Sequence, residues 1–306
     1  MIICVGSVFL DHIIQIDKFP KTPIKILANN IEKRLGGSAA VAACTISKLG
    51  SKTRLLTKFG NDEAKKFLVK ELKKFKVNLK SSLTIKNTNS SQSFVFEDKR
   101  GERLLGAFNE KKLLNYKLLP KIEFKAKNVY LADLRWIKAT SYLAKHCLKN
   151  NLDLIVDLDN FKTNNNIDYI VEKASYPIFS ETGLQEYSKI NNALEGMKKL
   201  ILKNKKFYAV TLGQKGVYWY ENNAIMHCQA PKIKTKETNC AGDVFHGAFA
   251  NFVFKNNSIS ESMKLATATA SLKCMKKGGV YSIPTLSEVK RVAKKLDIKK
   301  VASINV

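Results

Sequence analysis

Short apolar runs alternate with longer stretches whose apolar positions recur at helical spacing, and the alternation continues through most of the chain. Ile2 to Val5, Thr53 to Phe59, Asn128 to Ala132, Leu152 to Asp157, Tyr176 to Phe179 and Phe207 to Leu212 read as strands, with helices expected near 37–49, 62–75, 138–150, 166–173 and 192–204. Strands joined by helices pair in parallel and carry those helices on both faces. The predicted fold is therefore α/β, a doubly wound, mostly parallel sheet. Val217 to Tyr220 and Ala224 to Cys228 predict a hairpin around Asn222-Asn223, and everything after it reads as helical, at about 241–255, 259–276 and 286–296.

Two segments break the alternation. Residues 12–35 and 84–110 carry strand-like patterns such as Ser93-Phe-Val-Phe96 and a turn at Lys99-Arg-Gly101, which together predict a small antiparallel β lid. No repeat, low-complexity tract or linker divides the chain, so residues 1–306 are expected to form a single domain.

Composition narrows the functional classes. A length of 306 residues with 45% hydrophobic ones supplies a sizeable core. The six cysteines lie far apart with no CxxC pair, which speaks against a zinc site or disulfide framework and for a reducing, cytoplasmic setting. The chain enters an apolar strand at Met1-Ile-Ile-Cys-Val5 without a basic leader, and no apolar run approaches the roughly 18 residues of a membrane span. Neither secretion nor a membrane partner is expected. Lys and Arg outnumber Asp and Glu by 53 to 26, an excess that raises the question of nucleic acid. The lysines, however, fall in clusters such as Lys70 to Lys76, Lys203 to Lys206 and Lys294 to Lys300, interleaved with apolar residues. That is the pattern of solvated helix faces, and no nucleic-acid partner is expected.

The chemistry concentrates in Glu237-Thr-Asn-Cys-Ala-Gly-Asp-Val-Phe-His-Gly-Ala-Phe-Ala250, where a polar loop meets the start of an apolar helix. A helix N-terminus offers unpaired N–H groups and partial positive charge, and small residues let a phosphate approach them. Cys240, Ala241 and Gly242 are thus candidates for an anion hole, with Asp243 in the first helical turn facing the same point. Taken alone, Asp243 fits both a proton acceptor for an attacking hydroxyl and a simple helix cap. No GxxxxGK[ST] sequence occurs, so the phosphate site is not a P-loop.

The segment resembles the C-terminal signature of the ribokinase or PfkB family of carbohydrate kinases, D-T-x-G-A-G-D. Further resemblances follow in the family's order: Asp11 after the first strand, Gly36-Gly-Ser-Ala-Ala40 with Lys48-Leu-Gly50, and Thr211-Leu-Gly-Gln-Lys-Gly216. The resemblance implies ATP-dependent phosphorylation of a sugar hydroxyl with Asp243 as base, and a sugar held by Asp11, Gly36 and Gly37. It implies a nucleotide along Thr211, Gly213 and Gly216, with adenine against Ala270 to Cys274 and the turn at Gly278-Gly279. Mg2+ would bridge the phosphates, and Glu181, where the family places the Glu of Asn-x-x-Glu, would support it or simply begin a helix. Monovalent-cation activation, which some members show at the loop near 237, is left open, as are a nucleoside acceptor and a catalytically silent binding protein. Relatives often pair through their lids, which implies a homodimer.

The chain also departs from the pattern. Cys240 replaces a Gly, which is tolerable if its φ is ordinary; Glu237 replaces Asp; and Val41 stands where many members carry a sugar-binding Asn. Cys240 is expected to have a lowered thiol pKa at a helix N-terminus. His246 is expected to be a packed core residue, and His12 either lines the sugar pocket or is structural. Asp157 and Asp159, at a strand end, reach the metal region or cap the following loop. Finally, Asp133-Leu-Arg-Trp136, Ser271-Leu-Lys-Cys274 and Ile283-Pro284 resemble the branch that contains 6-deoxy-6-sulfofructose kinase. That resemblance implies an anionic sugar, gripped by Arg135 at the end of a strand with Lys25 and Asn109 from the lid; the alternatives are a surface Arg135 in an unrelated salt bridge and a neutral-sugar kinase of the ribokinase or fructokinase type.

Overall fold

All four residues of the strand Ile2–Val5 are buried, Ile2 and Cys4 in one hydrophobic layer and Ile3 and Val5 in another. A strand buried on both faces belongs inside a helix-covered sheet. It lies between the parallel strands Thr53–Leu56 and Val129–Ala132. The computed structural model, which describes residues 1–100 and 102–304, extends this core into a nine-stranded sheet. Asp153–Leu158, Tyr176–Ser180 and Ala209–Thr211 continue the parallel run, and Val217–Glu221, Ala224–Cys228 and Ile298–Ser303 add antiparallel strands at one edge. Helices including Ser38–Lys48, Ala241–Phe254 and Ile259–Cys274 cover one face. Helices including Ile137–Lys149 and Ala193–Lys203 cover the other.

The hairpin forms where expected, with Asn222 and Asn223 at φ 50° and 56°. The end of the chain corrects the reading from sequence. The last helix stops at Ala293, and Ile298–Ser303 is an edge strand rather than more helix. Its two lysines are exposed, which suits an edge that must not pair with other chains. The helix Glu181–Ser188 begins at Glu181, one of the two expectations for that residue; Ser180 caps it by accepting from the N–H of Gly183.

A separate four-stranded sheet has the order Asn30–Gly36, Phe9–Gln15, Gln92–Glu97, Arg103–Phe108. It begins at Phe9, earlier than the expected 12, and Gly101 of the expected turn lies outside the described residues. Because side chains alternate along each strand, Asp11, Ser93 and Val95 share one face, while Ile31, Phe94, Leu104 and Phe108 share the other.

Asp133 pins the junction between the sheets. One carboxylate oxygen accepts from the N–H and hydroxyl of Ser7 at 2.8 and 2.7 Å and from the N–H of Ala39 at 3.2 Å; the other accepts from the N–H of Arg135 at 2.9 Å. A single buried side chain thus joins the ends of two strands to the start of the helix Ser38–Lys48.

Candidate active site

Asp243 occupies the first turn of the helix Ala241–Phe254, behind a residue in an unusual conformation. Cys240 adopts φ 61°, the left-handed region, which costs a residue bearing a Cβ roughly 1–2 kcal/mol. The expectation of an ordinary φ is therefore corrected. So is that of a reactive thiol: burial, then the charges of Asp243 and Asp11, push the Cys240 thiol well above its usual range. Ala241 donates its N–H to the carbonyl of Thr238 at 3.2 Å. Among the described residues the N–H groups of Gly242 and Asp243 have no acceptor within the chain, so they, rather than that of Ala241, form the open donors of the anion hole.

The loop before this helix is held by a buried carboxylate. Glu237 accepts from Arg34 at 2.8 Å, Lys273 at 3.0 Å and the N–H groups of Gly278 and Gly279 at 3.0 and 3.1 Å. Burial opposes its ionisation, yet Lys273, the Gly278 N–H and Arg34 together hold its pKa down at about 2.

Asp243 is coupled to other acids. Burial and then the charge of Asp157 raise its pKa to about 7, while Ser38 and His246 beside it favour the ionised form. Asp11, on the inner face of the small sheet, is raised to about 6 by burial, partly offset by the hydroxyl of Ser93 at 2.5 Å, and it feels the charge of Asp243. Gly36 packs against Asp11 so closely that a Cβ there would lie 2.0 Å from a carboxylate oxygen. Gly37, the next residue, precedes the helix that carries Ser38. Four predicted residues therefore surround one point: Asp11, Gly36, Gly37 and Asp243. Behind them, the buried Asp157 carboxyl is held well above the usual range by burial and by Asp159. Its Oδ1 lies 3.7 Å from His246 Nε2, and among the described residues neither atom meets a hydrogen-bond partner. His246 is a packed histidine, its Nδ1 bonded to the carbonyl of Gly242.

A cavity of about 330 Å3 opens on the other side of the helix start. Thr211, Gly213, Gly216, Ala270 and Cys274 line it, and Ala241 and Gly242 close one end. Gly216 sits at φ 88° with a carbonyl 1.9 Å from where a Cβ would be, so no other residue fits this turn. Gly279, expected here, does not line the cavity; it donates to Glu237 instead. Glu181 begins its helix 3.9 Å from Lys215, as an ordinary helix-start Glu does.

The residues expected for an anionic group are only partly assembled. Arg135 and Asn109 line one narrow recess, together with Ser91 and Trp136, but Lys25 does not and is exposed. Lys58 lines the recess instead, its buried ammonium donating to the carbonyls of Leu113 and Leu114 at 2.7 and 3.4 Å, 4.8 Å over the Trp136 ring, and pushed down to about 8 by burial. Val41 is fully buried on its helix and offers no surface to a sugar. His12 bonds Gln92 at 2.8 Å and stacks on Phe94, a contact within the small sheet. Reading by sequence assigned no role to Ser38, Lys58, Asp133, Arg34 or Lys273, although Ser38, Asp133 and Lys273 fall inside the quoted motifs.

The family described as pfkB family carbohydrate kinase matches residues 1–286. A ribokinase of Dictyostelium discoideum is 28% identical, covering 93% of this chain and 98% of its own length. A nucleoside kinase of Methanocaldococcus jannaschii is 26% identical, covering 94% and 95%. In fold, the chain superposes on an Arabidopsis thaliana ribokinase complexed with ribose and ATP with a TM-score of 0.81 at 23% identity, covering 96% and 98%.

The raised pKa of Asp243 carries a stability prediction. A carboxyl that titrates near 7 when folded and near 4 when unfolded destabilises the fold as it ionises, a cost absent below pH 4 and complete above pH 7. Asp243→Asn is expected to raise the melting temperature at pH 8.5 and to leave it almost unchanged at pH 4.5. An equal shift at both values would mean that the carboxyl is not held in its neutral form.

Proposed function

We propose that this chain, which belongs to the pfkB family of carbohydrate kinases, transfers the γ-phosphoryl group of ATP to a sugar hydroxyl, with Asp243 as the base. The observation that supports this best is the junction at the helix start. A nucleotide-sized cavity ends at Ala241 and Gly242, and the next side chain, Asp243, is coupled to Asp11 across the point where a second substrate would sit. ATP in that cavity directs its phosphates at the N–H groups of Gly242 and Asp243. As the sugar oxygen bonds to the γ-phosphorus, the bond to the bridging oxygen breaks and ADP leaves; the hydroxyl proton passes to Asp243. Charge developing on the transferred group meets the helix N-terminus, which is already oriented.

Among the described residues no three Asp, Glu, His or Cys side chains are grouped to hold a metal directly. Mg2+ bound to the ATP phosphates would be held here through water by acids such as Asp157, whose Oδ1 is otherwise unpartnered, and would neutralise phosphate charge. Direct measurement of ADP release over a panel of sugars and nucleosides tests the reading. With the preferred acceptor, kcat/KM is expected to rise about tenfold per pH unit up to about 7 and then level, because the base works only when ionised. Asp243→Asn should lower turnover by about 10²-fold or more with ATP binding kept. Absence of ADP release with every acceptor, despite ATP binding, would favour a silent binding protein.

Arg135 and Lys58 in one recess support a finer reading, an acceptor that carries a sulfonate or phosphate, such as 6-deoxy-6-sulfofructose. Arg135 forms no ion pair among the described residues; one guanidinium nitrogen donates to the carbonyl of Asn160 at 3.1 Å, leaving the rest of its fork for a ligand. The recess is narrow, about 30 Å3, so the anionic group enters as the lid strands shift. Arg135→Ala is expected to cost about 2–5 kcal/mol in kcat/KM toward the anionic sugar and almost nothing toward fructose. Equal losses on both, or a wild-type preference for fructose or ribose, would leave a neutral-sugar kinase as the reading.

The outer face of the small sheet supports a homodimer. Ile31, Phe94, Leu104 and Phe108 are all exposed on that face, and Arg103–Phe108 is an open edge. A second copy would cover both. Light scattering is expected to give twice the chain mass, and the double change Phe94→Glu with Leu104→Glu to give a monomer; a wild-type monomer at micromolar concentration would remove the idea.

A further inference from the structure

We propose that Lys273 is a built-in monovalent cation whose ammonium shapes the anion-hole loop, so that the chain needs no free alkali ion there. The inference rests on the phosphoryl-transfer reading for its kinetic consequences, but its geometry stands apart from it.

Lys273 lies in the last turn of the helix Ile259–Cys274 and has 0% of its surface exposed. A lysine carries a large rotamer entropy and a strongly hydrated charge, so complete burial needs compensation. Its three N–H donors have three oxygens to meet: the Glu237 carboxylate at 3.0 Å, the Glu237 carbonyl at 3.4 Å, and the carbonyl of Asn239. A salt bridge alone would use only the carboxylate. Two converging main-chain carbonyls beside a carboxylate form the kind of oxygen nest that suits a hard cation, and here the cation is tethered.

Position gives this nest its role. The two carbonyls flank Thr238, whose own carbonyl accepts from Ala241. Asn239 immediately precedes Cys240, the residue in the left-handed conformation that turns the chain into the helix. Drawing the carbonyls of 237 and 239 toward one ammonium fixes the peptides on either side of that turn, and with them the direction of the Gly242 and Asp243 N–H groups. Without a cation these carbonyls would face one another and a carboxylate, and the loop would turn away. Lys273 touches neither nucleotide cavity nor acceptor point and is a positioning residue.

Cation substitution in the purified protein tests this. Wild-type kcat/KM, and ATP affinity by calorimetry, should change by less than about twofold when K+ is replaced by tetramethylammonium at constant ionic strength. Lys273→Ala should lose more than about tenfold in either measure in tetramethylammonium and regain part of it in K+, NH4+ or methylammonium, which can enter the vacated nest. A structural packing role would not produce that ion selectivity. Strong activation of the wild type by K+ overturns the proposal, as does a folded Lys273→Ala that is either unimpaired or impaired but rescued by no cation. If Lys273→Ala fails to fold, the wild-type ion series decides by itself. Should no acceptor be phosphorylated at all, the kinase reading fails while the calorimetric arm still tests Lys273.

Discussion

The carboxylate of Glu237 must stay charged in a place with almost no water. Its residue is 5% exposed, and an unpaired carboxylate there would be too costly to keep ionised. Two cations and two backbone N–H groups make it tolerable, and each comes from a different part of the chain: Arg34 from the small sheet, Lys273 from a helix, Gly278 and Gly279 from the turn beyond it. A buried pair of this kind gives little net stability, because desolvation offsets attraction. What it gives is definition. Removing any one partner leaves a buried charge unmatched, so the four segments are held to one arrangement, and the loop that leads into the helix at 241 is set by it.

A second constraint is the crowding of acids at one end of the sheet. Asp133 follows the strand Val129–Ala132, Asp157 lies near the end of the adjacent strand Asp153–Leu158 and Asp159 just after it, and Asp243 and Asp11 approach from the helix and the small sheet. The structure treats them differently. Asp133 is surrounded by four donors and acts as a structural pin, whereas Asp157 has an unpartnered oxygen and Asp243 is pushed to about 7. A carboxyl near 7 is a better proton acceptor for a hydroxyl than one near 4, and it is still ionised in half the molecules at neutral pH. The burial that raises it, reinforced by the charge of Asp157, is thus both the cost of the site and the origin of its basicity.

Legibility in the sequence followed the range of the interactions. Strands such as Ile2–Val5 and Tyr176–Ser180 were readable because both faces are buried and the apolar run is continuous; Ile298–Ser303 was not, because its only instruction is the neighbouring edge of Ala224–Cys228. The same holds for the site. Ala241, Gly242 and Asp243 are consecutive, and Thr211, Gly213 and Gly216 form one turn, so local chemistry announces them. Lys273 lies 36 residues from its partner, and Arg34 lies 203 residues from the same carboxylate. In sequence each is one more basic residue in a basic chain. Lys25 shows the reverse error, a cation placed by analogy on a segment that the fold carries to the outside.

The same ion network ties the small sheet to the nucleotide side. Arg34 on the strand Asn30–Gly36 holds Glu237, and Arg103 on the opposite edge strand donates to the Thr238 hydroxyl at 2.5 Å. These two contacts are unequal. The Arg34 pair is buried, with side-chain exposures of 11% and 3%, so stripping it would cost on the order of 3–5 kcal/mol. The contact of Arg103 is solvent-exposed, where such a bond contributes about 1 kcal/mol or less. The small sheet is thus anchored strongly at Asn30–Gly36, which also keeps Gly36 against Asp11, and only weakly at the opposite edge Arg103–Phe108.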